Sequence, residues 1–447
     1  MNATAAKSAP FIDGLDATAG TLPGNDLPWL SDLRARGRDC YADLGLPTQK
    51  REDWKYTNLN RLRRAGFLPA APDTAVESLP LGNALALDAD RVVLVNGRFR
   101  ADLSDLPTGG SIEASGLTDL LQSDPDTVEP LLGQIADVES MPLAALNTAG
   151  FADGVVLRLR AGTTAERPVH IVSLGAAGET PLLFHPRVLI VAEEGSQGCV
   201  VESHIGLGDG AYFSNSVVEI AVRTRAALQH YKLQNEHPAA FHIAATQAVL
   251  DEGAMYESFV LQVGARLARN EIRTRLDAGR IDCHVNGAYL LQGDQHADNT
   301  TFIDHAAAGS NSRELYKGVI DGKARGVFQG KILVRQDAQK TDGHQLNRAL
   351  LLSREAEIDS KPELEIYADD VKCSHGASAG ELDDDALFYL RSRGIDEATA
   401  RSLLVEAFIG EAIDSVDYEP ARDAFRQVIN GWLADRQPAG GGNGDKE

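Results

Sequence analysis

Between Gly154 and Gly380 the chain keeps one pattern for more than 200 residues, and this pattern restricts the possible folds more than any other feature. Segments such as FHIAATQAVLDEG, MYESFVLQVG and GVFQGKILVRQ alternate apolar and polar residues, as strands do. Glycine, aspartate or asparagine closes each segment about every 8–12 residues, and none of the segments has the spacing of a crossover helix. The pattern therefore excludes a doubly wound sheet and predicts a mainly β fold.

Three all-β architectures could accommodate so many short strands: a large sandwich, a propeller or a β-solenoid. The sequence has no fixed blade period and no aromatic blade marker, which argues against the propeller. Small, frequent turns and an aromatic content of only 6% suit a parallel β-helix, in which each coil stacks on the next. From the residues alone the solenoid is favoured only slightly, and the sandwich stays open as an alternative.

Helical spacing flanks this strand-rich part. Residues 1–26 are rich in alanine, glycine and threonine and are predicted to be mobile, and the rest of 1–88 is predicted to be mostly helical. The β core is assigned to 89–380, with RVVLVNGRFR as its first clear strand. A C-terminal helical domain follows at 381–436, and the glycine-rich residues 437–447 are predicted to be disordered.

Composition limits the classes of partner and the compartment. A formal net charge of −22 argues against nucleic-acid binding, which needs a basic surface, and against an anionic membrane surface. The chain contains no run of about 18 apolar residues that could span a bilayer, and its N-terminus lacks the apolar region of a secretory signal. Four scattered cysteines do not form a disulfide framework, so we expect a cytoplasmic protein.

Several motifs of catalysis are missing. The string GVFQGKI has one residue too few between its glycines, and an isoleucine after the lysine, to be a phosphate-binding P-loop. The cluster GLGDG lacks the strand-to-helix context of a dinucleotide site, and the chain has no G-x-S-x-G, H-E-x-x-H or paired C-x-x-C spacing. We therefore expect that the chain hydrolyses no nucleotide and is not an enzyme.

The strongest candidate site is the string DDVKCSHGA, which places Cys373 and His375 two residues apart. On an extended segment their side chains share a face and lie about 6.5–7 Å apart along the strand. A thiolate and an imidazole are ligands for soft metals, but a closed site needs about four ligands, so the others must come from elsewhere. The alternative is that Cys373 is a small core residue and His375 a turn residue.

The other cysteines and histidines are assigned structural roles. Cys283 and His284 are adjacent on a strand, so their side chains point to opposite faces and cannot share a metal without distortion. Four more residues are expected in the core, in coils or in turns: Cys40, Cys199, His296 and His305. The following residues are interpreted as one solvated polar patch: Lys340, Asp342, His344 and Gln345.

Four strings together resemble one known family. They are EDWKYTNL, ELYKGVI, GVFQGKILVRQDAQKTDGHQLNRALLLS and SKPELEIYADDVKCSHGASAGELDDDALFYLRSRGI. The resemblance, over about residues 50–430, is to the SufB/SufD family of iron–sulfur cluster assembly proteins, which work with the ATPase SufC. It implies a right-handed parallel β-helix between helical N-terminal and C-terminal regions.

Between the two branches of the family, EDWKYT and CSHGA are similar to the SufD type. SufB-type chains carry a C-E-H-E-A pattern, and this chain has Gly376 where the second glutamate would stand. This departure removes a carboxylate that could serve as a ligand or base. It therefore argues against a chain that holds a cluster independently.

The resemblance also implies a role and partners. Cys373 and His375 match positions proposed to meet SufB at a heterodimer interface, where transient iron or a nascent iron–sulfur cluster is shared. The lone chain is expected to bind neither iron nor a cluster stably. Segment 383–435 matches the domain that SufC binds, and ATP hydrolysis by SufC is expected to drive cluster assembly. The residues expected to bind SufC are Phe388, Tyr389, Arg391, Arg393, Leu404 and Phe408. The chain is thus expected to be a non-catalytic scaffold, with a homodimer possible when it is alone.

Two other functions stay open. A β-helix carbohydrate-active enzyme would use paired carboxylates, although the low aromatic content and the lack of a signal count against it. A self-sufficient iron–sulfur carrier would need more ligands than the pair Cys373 and His375 supplies.

Overall fold

The computed structural model describes residues 9–72, 74–108 and 110–435. The tail predicted to be disordered, 437–447, lies outside the described residues, as do the first eight residues of the segment predicted to be mobile.

Eight α-helices are found in the described part of the chain. They are α1 Ile12–Thr18, α2 Pro28–Leu44, α3 Asn60–Arg64, α4 Leu117–Ser123, α5 Pro142–Gly150, α6 Asp384–Ser392, α7 Glu397–Ile413 and α8 Glu419–Ala434.

The strands form two sheets. The first consists of β1 Leu68–Pro69, β4 Ile112–Gly116, β5 Gly154–Leu159, β7 Leu182–Phe184, β8 Arg187–Ala192, β10 Tyr212–Val222, β12 Phe241–Leu250, β14 Leu267–Leu276, β16 His296–His305, β18 Arg325–Val334 and β20 Glu357–Ile366. The second consists of β2 Asp90–Val95, β3 Arg98–Phe99, β6 Val169–Ala176, β9 Gln197–Leu207, β11 Ala227–Asn235, β13 Met255–Gln262, β15 Asp282–Leu291, β17 Asn311–Ile320, β19 Asp342–Leu351 and β21 Lys372–Gly380.

From β8 onward, successive strands alternate between the two sheets, and each pairs in parallel with the strand two places along the chain. This alternation winds the chain into a β-solenoid, so the predicted parallel β-helix is confirmed and the sandwich alternative is wrong. Residues at alternate positions line the interior, as Val218, Ile220 and Val222 do on β10. Burying one such side chain contributes about 1.5–3 kcal/mol to stability.

The segment predicted as one strand, RVVLVNGRFR, is a hairpin. Asn96 and Gly97 have φ angles of 47° and 79°, and β2 and β3 pair antiparallel on either side of them. An Asn-Gly pair favours a tight hairpin turn because both residues tolerate positive φ. The hairpin forms one end of the second sheet.

The N-terminal helices pack on the outer face of the first sheet. Tyr41 of α2 and Leu146 of α5 belong to one buried cluster with Phe213 and Phe241 of the sheet. The prediction that residues 1–26 are mobile is wrong for α1, because its Leu15 is buried in the same cluster.

The predicted helical character of residues 1–88 is only partly correct. In the described residues, no α-helix occurs between α3 and α4. Proline and glycine are frequent there, as in LPAAPD and LPLGN, and neither supports a helix interior.

Of the three helices after Gly380, α7 and α8 pack on the outer face of the second sheet, and α6 packs on α7. Val405 and Ile409 of α7 and Phe425 of α8 join a cluster with Phe259 of β13. Aspartates cap two of these helices: the Asp383 carboxylate accepts from the amides of Asp385 and Ala386, and the Asp396 carboxylate accepts from the Thr399 amide. Leu403 of α7 is 42% exposed.

Candidate functional site

The solenoid ends at an open coil formed by β20 and β21. Strand β21 pairs only with β19, and β20 pairs only with β18, so each leaves one edge free of a neighbouring strand among the described residues. Most side chains of β21 are exposed, whereas those of the inner strands are mostly buried. The free edges offer unpaired N–H and C=O groups to another strand.

Cys373 lies on β21 with its side chain directed into the solenoid. It pairs in register with Gly343 of β19, and its half-buried side chain packs against the interior apolar cluster. The sulfur lies close to Gly343, where a Cβ would be in ordinary van der Waals contact with Cys373 Sγ at 3.6 Å. Burial raises the pKa of the Cys373 thiol, so the thiol is protonated at neutral pH and a metal must displace the proton to bind sulfur.

His375 follows on the same inward side of β21 but is exposed. It pairs in register with Gln345 of β19, whose side chain is buried in the solenoid. The predicted sharing of one side by Cys373 and His375 is therefore confirmed. The thiol sits at the margin of the interior and the imidazole at its open end.

The chain presents a thiol and an imidazole here and no closed metal site. In residues 9–72, 74–108 and 110–435, no three cysteine, histidine or acidic side chains are arranged so that they could hold a metal ion. A soft metal bound at this end requires further ligands from outside the described chain. The assignment of Cys373 and His375 as ligands stays a prediction.

The predicted polar patch is divided between two faces, so its treatment as one patch is wrong. His344 points outward, where its Nδ1 lies 2.5 Å from Ser374 Oγ and its Nε2 lies 2.9 Å from the Asp342 carboxylate. Gln345 is the next residue on the strand and therefore points inward. Lys340 pairs instead with Asp370 in the adjoining turn.

Beneath the open coil lies a polar layer that the sequence did not indicate. Gln345 donates from Nε2 to Glu314 Oε2 of β17 at 2.6 Å, and both side chains are buried. Burial raises the pKa of the Glu314 carboxyl to about 7. A strand-face pattern could have placed Glu314 inward, but only the tertiary structure brings it beneath His375.

The remaining cysteines, together with His296 and His305, lie in the surroundings predicted for them. Cys199 and Cys283 are buried, and Cys40 is half-buried against a cluster of the N-terminal region. His296 Nε2 lies 2.9 Å from Thr57 Oγ1, and His305 Nε2 lies 2.9 Å from Ser312 Oγ.

The side chains predicted to bind a partner through α6 are exposed. Phe388 is 74% exposed and Tyr389 56% exposed. The Arg393 guanidinium lies 5.0 Å from the centre of the Tyr389 ring, and Arg391 pairs with Glu397 at 3.3 Å. This end of the helical region therefore presents aromatic and cationic groups to solvent.

On α7 the predicted partner residues are less accessible. Leu404 is half-buried, and Phe408 packs against the cluster between the helices and the second sheet. Lys317 of β17 donates to the Phe408 carbonyl at 2.7 Å, pairs with Glu411, and lies 4.5 Å from the Phe408 ring. Phe408 therefore helps to attach α7 to the solenoid.

Across the ranges that the structure describes, the helices are all too short or too polar to cross a bilayer.

Known proteins resemble this chain along most of its length. Residues 174–408 match the family model described as "SUF system FeS cluster assembly, SufBD core domain", and residues 7–171 match "SufBD protein N-terminal region". An iron–sulfur cluster assembly SufBD family protein of Synechocystis is 33% identical over 92% of this chain and 92% of its own.

Two relatives are named SufD. The iron–sulfur cluster assembly protein SufD of Escherichia coli is 34% identical over 89% of this chain and 90% of its own. SufD of Bacillus subtilis is 26% identical over 90% of this chain and 93% of its own. These relatives are named as assembly proteins. The chain therefore belongs to the SufB/SufD family of iron–sulfur cluster assembly proteins, within which it is similar to members named SufD.

Proposed function

We propose that this chain is a non-catalytic scaffold subunit that assembles iron–sulfur clusters together with a SufB-type and a SufC-type protein. The observation that carries the proposal is the open last coil, where Cys373 and His375 share the inward side of an edge strand. A partner that stacks on this coil would complete the sheet and supply the missing ligands in one step.

The surface around the open coil favours a protein partner. Ile366, at the end of β20, is 39% exposed although it pairs in register with the buried Val334, and the adjacent Tyr367 is 60% exposed. Apolar side chains at a free sheet edge promote pairing with another chain. A SufB-type subunit is the partner that family membership suggests.

Iron enters this proposal as substrate. The Cys373 thiolate and one nitrogen of His375 would bind an iron ion, and the partner subunit would provide the other ligands. Because burial raises the pKa of the Cys373 thiol, iron uptake would release a proton and would be weaker at acidic pH.

The C-terminal helices would transmit the motion of the SufC-type ATPase. Helix α7 is attached to β17 through Lys317, and a cavity of about 410 Å³ separates Glu411 of α7 from Gly376 of β21. An ATPase that binds α6 and α7 differently in its two nucleotide states would shift the position of α7 against the last strands.

The test is reconstitution with SufB and SufC homologues, followed by anaerobic purification and measurement of iron, sulfide and subunit ratio. We expect Cys373→Ser and His375→Ala each to lower iron and sulfide severalfold while the subunits still copurify. The matched controls are Cys40→Ser and His284→Ala, which change the same residue types away from the open coil.

Unchanged iron and sulfide in both site variants would contradict the proposed site. A stoichiometric cluster on the lone chain would instead support a self-sufficient carrier, and activity on polysaccharide would support a carbohydrate-active enzyme.

A further inference from the structure

The Gln345 side chain spans the interior of the solenoid one coil below His375. Its amide reaches the opposite sheet at Gly330, where a Cβ would lie only 1.9 Å from Gln345 Nε2. A side chain at position 330 would therefore push the amide away. The absence of a side chain at Gly330 therefore makes room for this amide.

Glu314 fixes the orientation of this amide. Gln345 Nε2 donates to Glu314 Oε2 at 2.6 Å, so the donor end of the amide is used within the layer. The carbonyl oxygen, Gln345 Oε1, is buried and has no hydrogen-bond partner in the described part of the chain. A buried acceptor of this kind normally has a donor, and leaving it unpaired costs about 1–3 kcal/mol.

His375 is the residue in register with Gln345 on the next strand, on the same inward side. Neighbouring strands are about 4.8 Å apart, and the exposed imidazole can therefore turn so that one ring N–H reaches the Gln345 carbonyl. A histidine that binds a metal usually donates its other ring N–H to such an acceptor, which fixes the tautomer and the ring orientation.

We propose that Gln345, oriented by Glu314, is a positioning residue for His375: its carbonyl oxygen accepts one ring N–H and directs the other ring nitrogen to the metal. This inference rests on the proposed function, because it assigns His375 as a ligand. It adds a hydrogen-bonded support that lies inside the solenoid and is therefore contributed by this chain alone.

The experiment compares variants in the complex reconstituted with SufB and SufC homologues. Gln345→Leu removes the acceptor and keeps an apolar side chain of similar size. Asn347→Leu is the matched control, because Asn347 is also inward and hydrogen-bonded on β19 but pairs in register with Ala377. The double variant Glu314→Gln with Gln345→Glu exchanges the two partners and restores an acceptor beneath His375.

Two readouts besides cluster assembly are used. Iron(II) affinity is measured by competition with a chelator, and the tautomer of His375 is read from its ring ¹⁵N shifts, with His375→Ala identifying the signals. We expect Gln345→Leu to weaken iron binding about 10-fold and to leave a mixture of tautomers. The exchanged pair should return both to near the parent values, and thermal midpoints show that each variant is folded.

Three results would overturn the inference. In the first, His375→Ala weakens iron binding but Gln345→Leu does not, which leaves the proposed function standing. In the second, Asn347→Leu weakens binding as much as Gln345→Leu, or the exchanged pair restores nothing, which indicates a general packing effect. In the third, His375→Ala itself changes nothing, which also removes His375 from the proposed site.

Discussion

Cys373 and His375 are two residues apart, yet their surroundings differ because they lie at the boundary of the solenoid interior. The thiol packs over Gly343 against apolar residues, and its pKa is raised. The imidazole stands farther toward solvent, above the layer of Gln345 and Glu314. The thiol must lose its proton before it binds a metal, and the imidazole binds a metal through a ring nitrogen that carries no proton.

Glu314 gives a prediction at this scale that concerns stability alone. Its pKa is about 7 in the folded protein and about 4.5 in the unfolded chain, so the folded state holds the proton more tightly. This tighter proton binding contributes fully to the stability of the folded state below pH 4.5, and the contribution is lost as the pH rises through 7. The free energy of unfolding of Glu314→Gln, measured relative to that of the parent, should therefore increase by about 2–3 kcal/mol between pH 4.5 and pH 8.

Urea unfolding of both proteins at several pH values measures this difference. Glu355→Gln, at an exposed site, serves as the control and should follow the parent at every pH. If the free energies of unfolding of the parent and of Glu314→Gln change in parallel with pH, the raised pKa of the Glu314 carboxyl is contradicted.

At the scale of elements, polar and aromatic contacts add to the buried clusters that attach the terminal regions to the two sheets. In the string EDWKYTNL, Trp54 lies 4.1 Å from the guanidinium of Arg269, and Thr57 bonds to Asp298. This segment therefore attaches the N-terminal region to the outer face of the first sheet. On the second sheet, Lys317 attaches α7 through three contacts at once.

Lys317→Met should loosen α7 without unfolding the solenoid. The side chain of Lys317 is only 3% exposed, so its loss removes a shielded ion pair, a hydrogen bond and a cation–π contact, for a cost of about 1–3 kcal/mol. Hydrogen exchange should show faster exchange in α7 while the inner strands stay protected. Lys323→Met removes an exposed pair with Glu355 and should cost about 0–1 kcal/mol. Equal exchange of α7 in the parent and in Lys317→Met would rule out this attachment.

At the scale of the molecule, the two helical regions cover opposite outer faces of the solenoid and leave its last coil open. Helices α7 and α8 lie beside the strands that lead to this coil, whereas α1–α5 cover the first sheet. Under the proposed function, a motion of α7 would reach the last coil through β17 and the neighbouring strand β19. With a net charge of −22, the molecule also repels copies of itself.

Ile366→Lys tests the open end as an association surface. A lysine at the edge of the last coil is strongly hydrated and resists burial, so we expect affinity for a SufB homologue to fall about 10-fold or more. The thermal midpoint should change little because Ile366 is partly exposed already. Analytical ultracentrifugation gives the affinity, and Met255→Lys, also at an exposed apolar residue of the solenoid, is the control. Equal loss in the two variants, or none in either, would exclude the open end as the interface.

The sequence by itself determined the fold class and the placement of the last helices. Period-two alternation decides which strand residues face inward, as for Cys373 and His375, and glycine and aspartate mark the turns and caps. These signals are local, so they can be read without coordinates. The family resemblance then separated the solenoid from the sandwich, which alternation alone could not do.

Only the tertiary structure decided which distant residues meet. Alternation places Glu314 and Gln345 inward, but their hydrogen bond depends on the register of two strands about one coil apart. The contact of His344 with Ser374 and the attachment of Lys317 to α7 likewise depend on packing between segments that are separated in the chain. Local preferences do not contain such contacts, because the winding of the coil creates them.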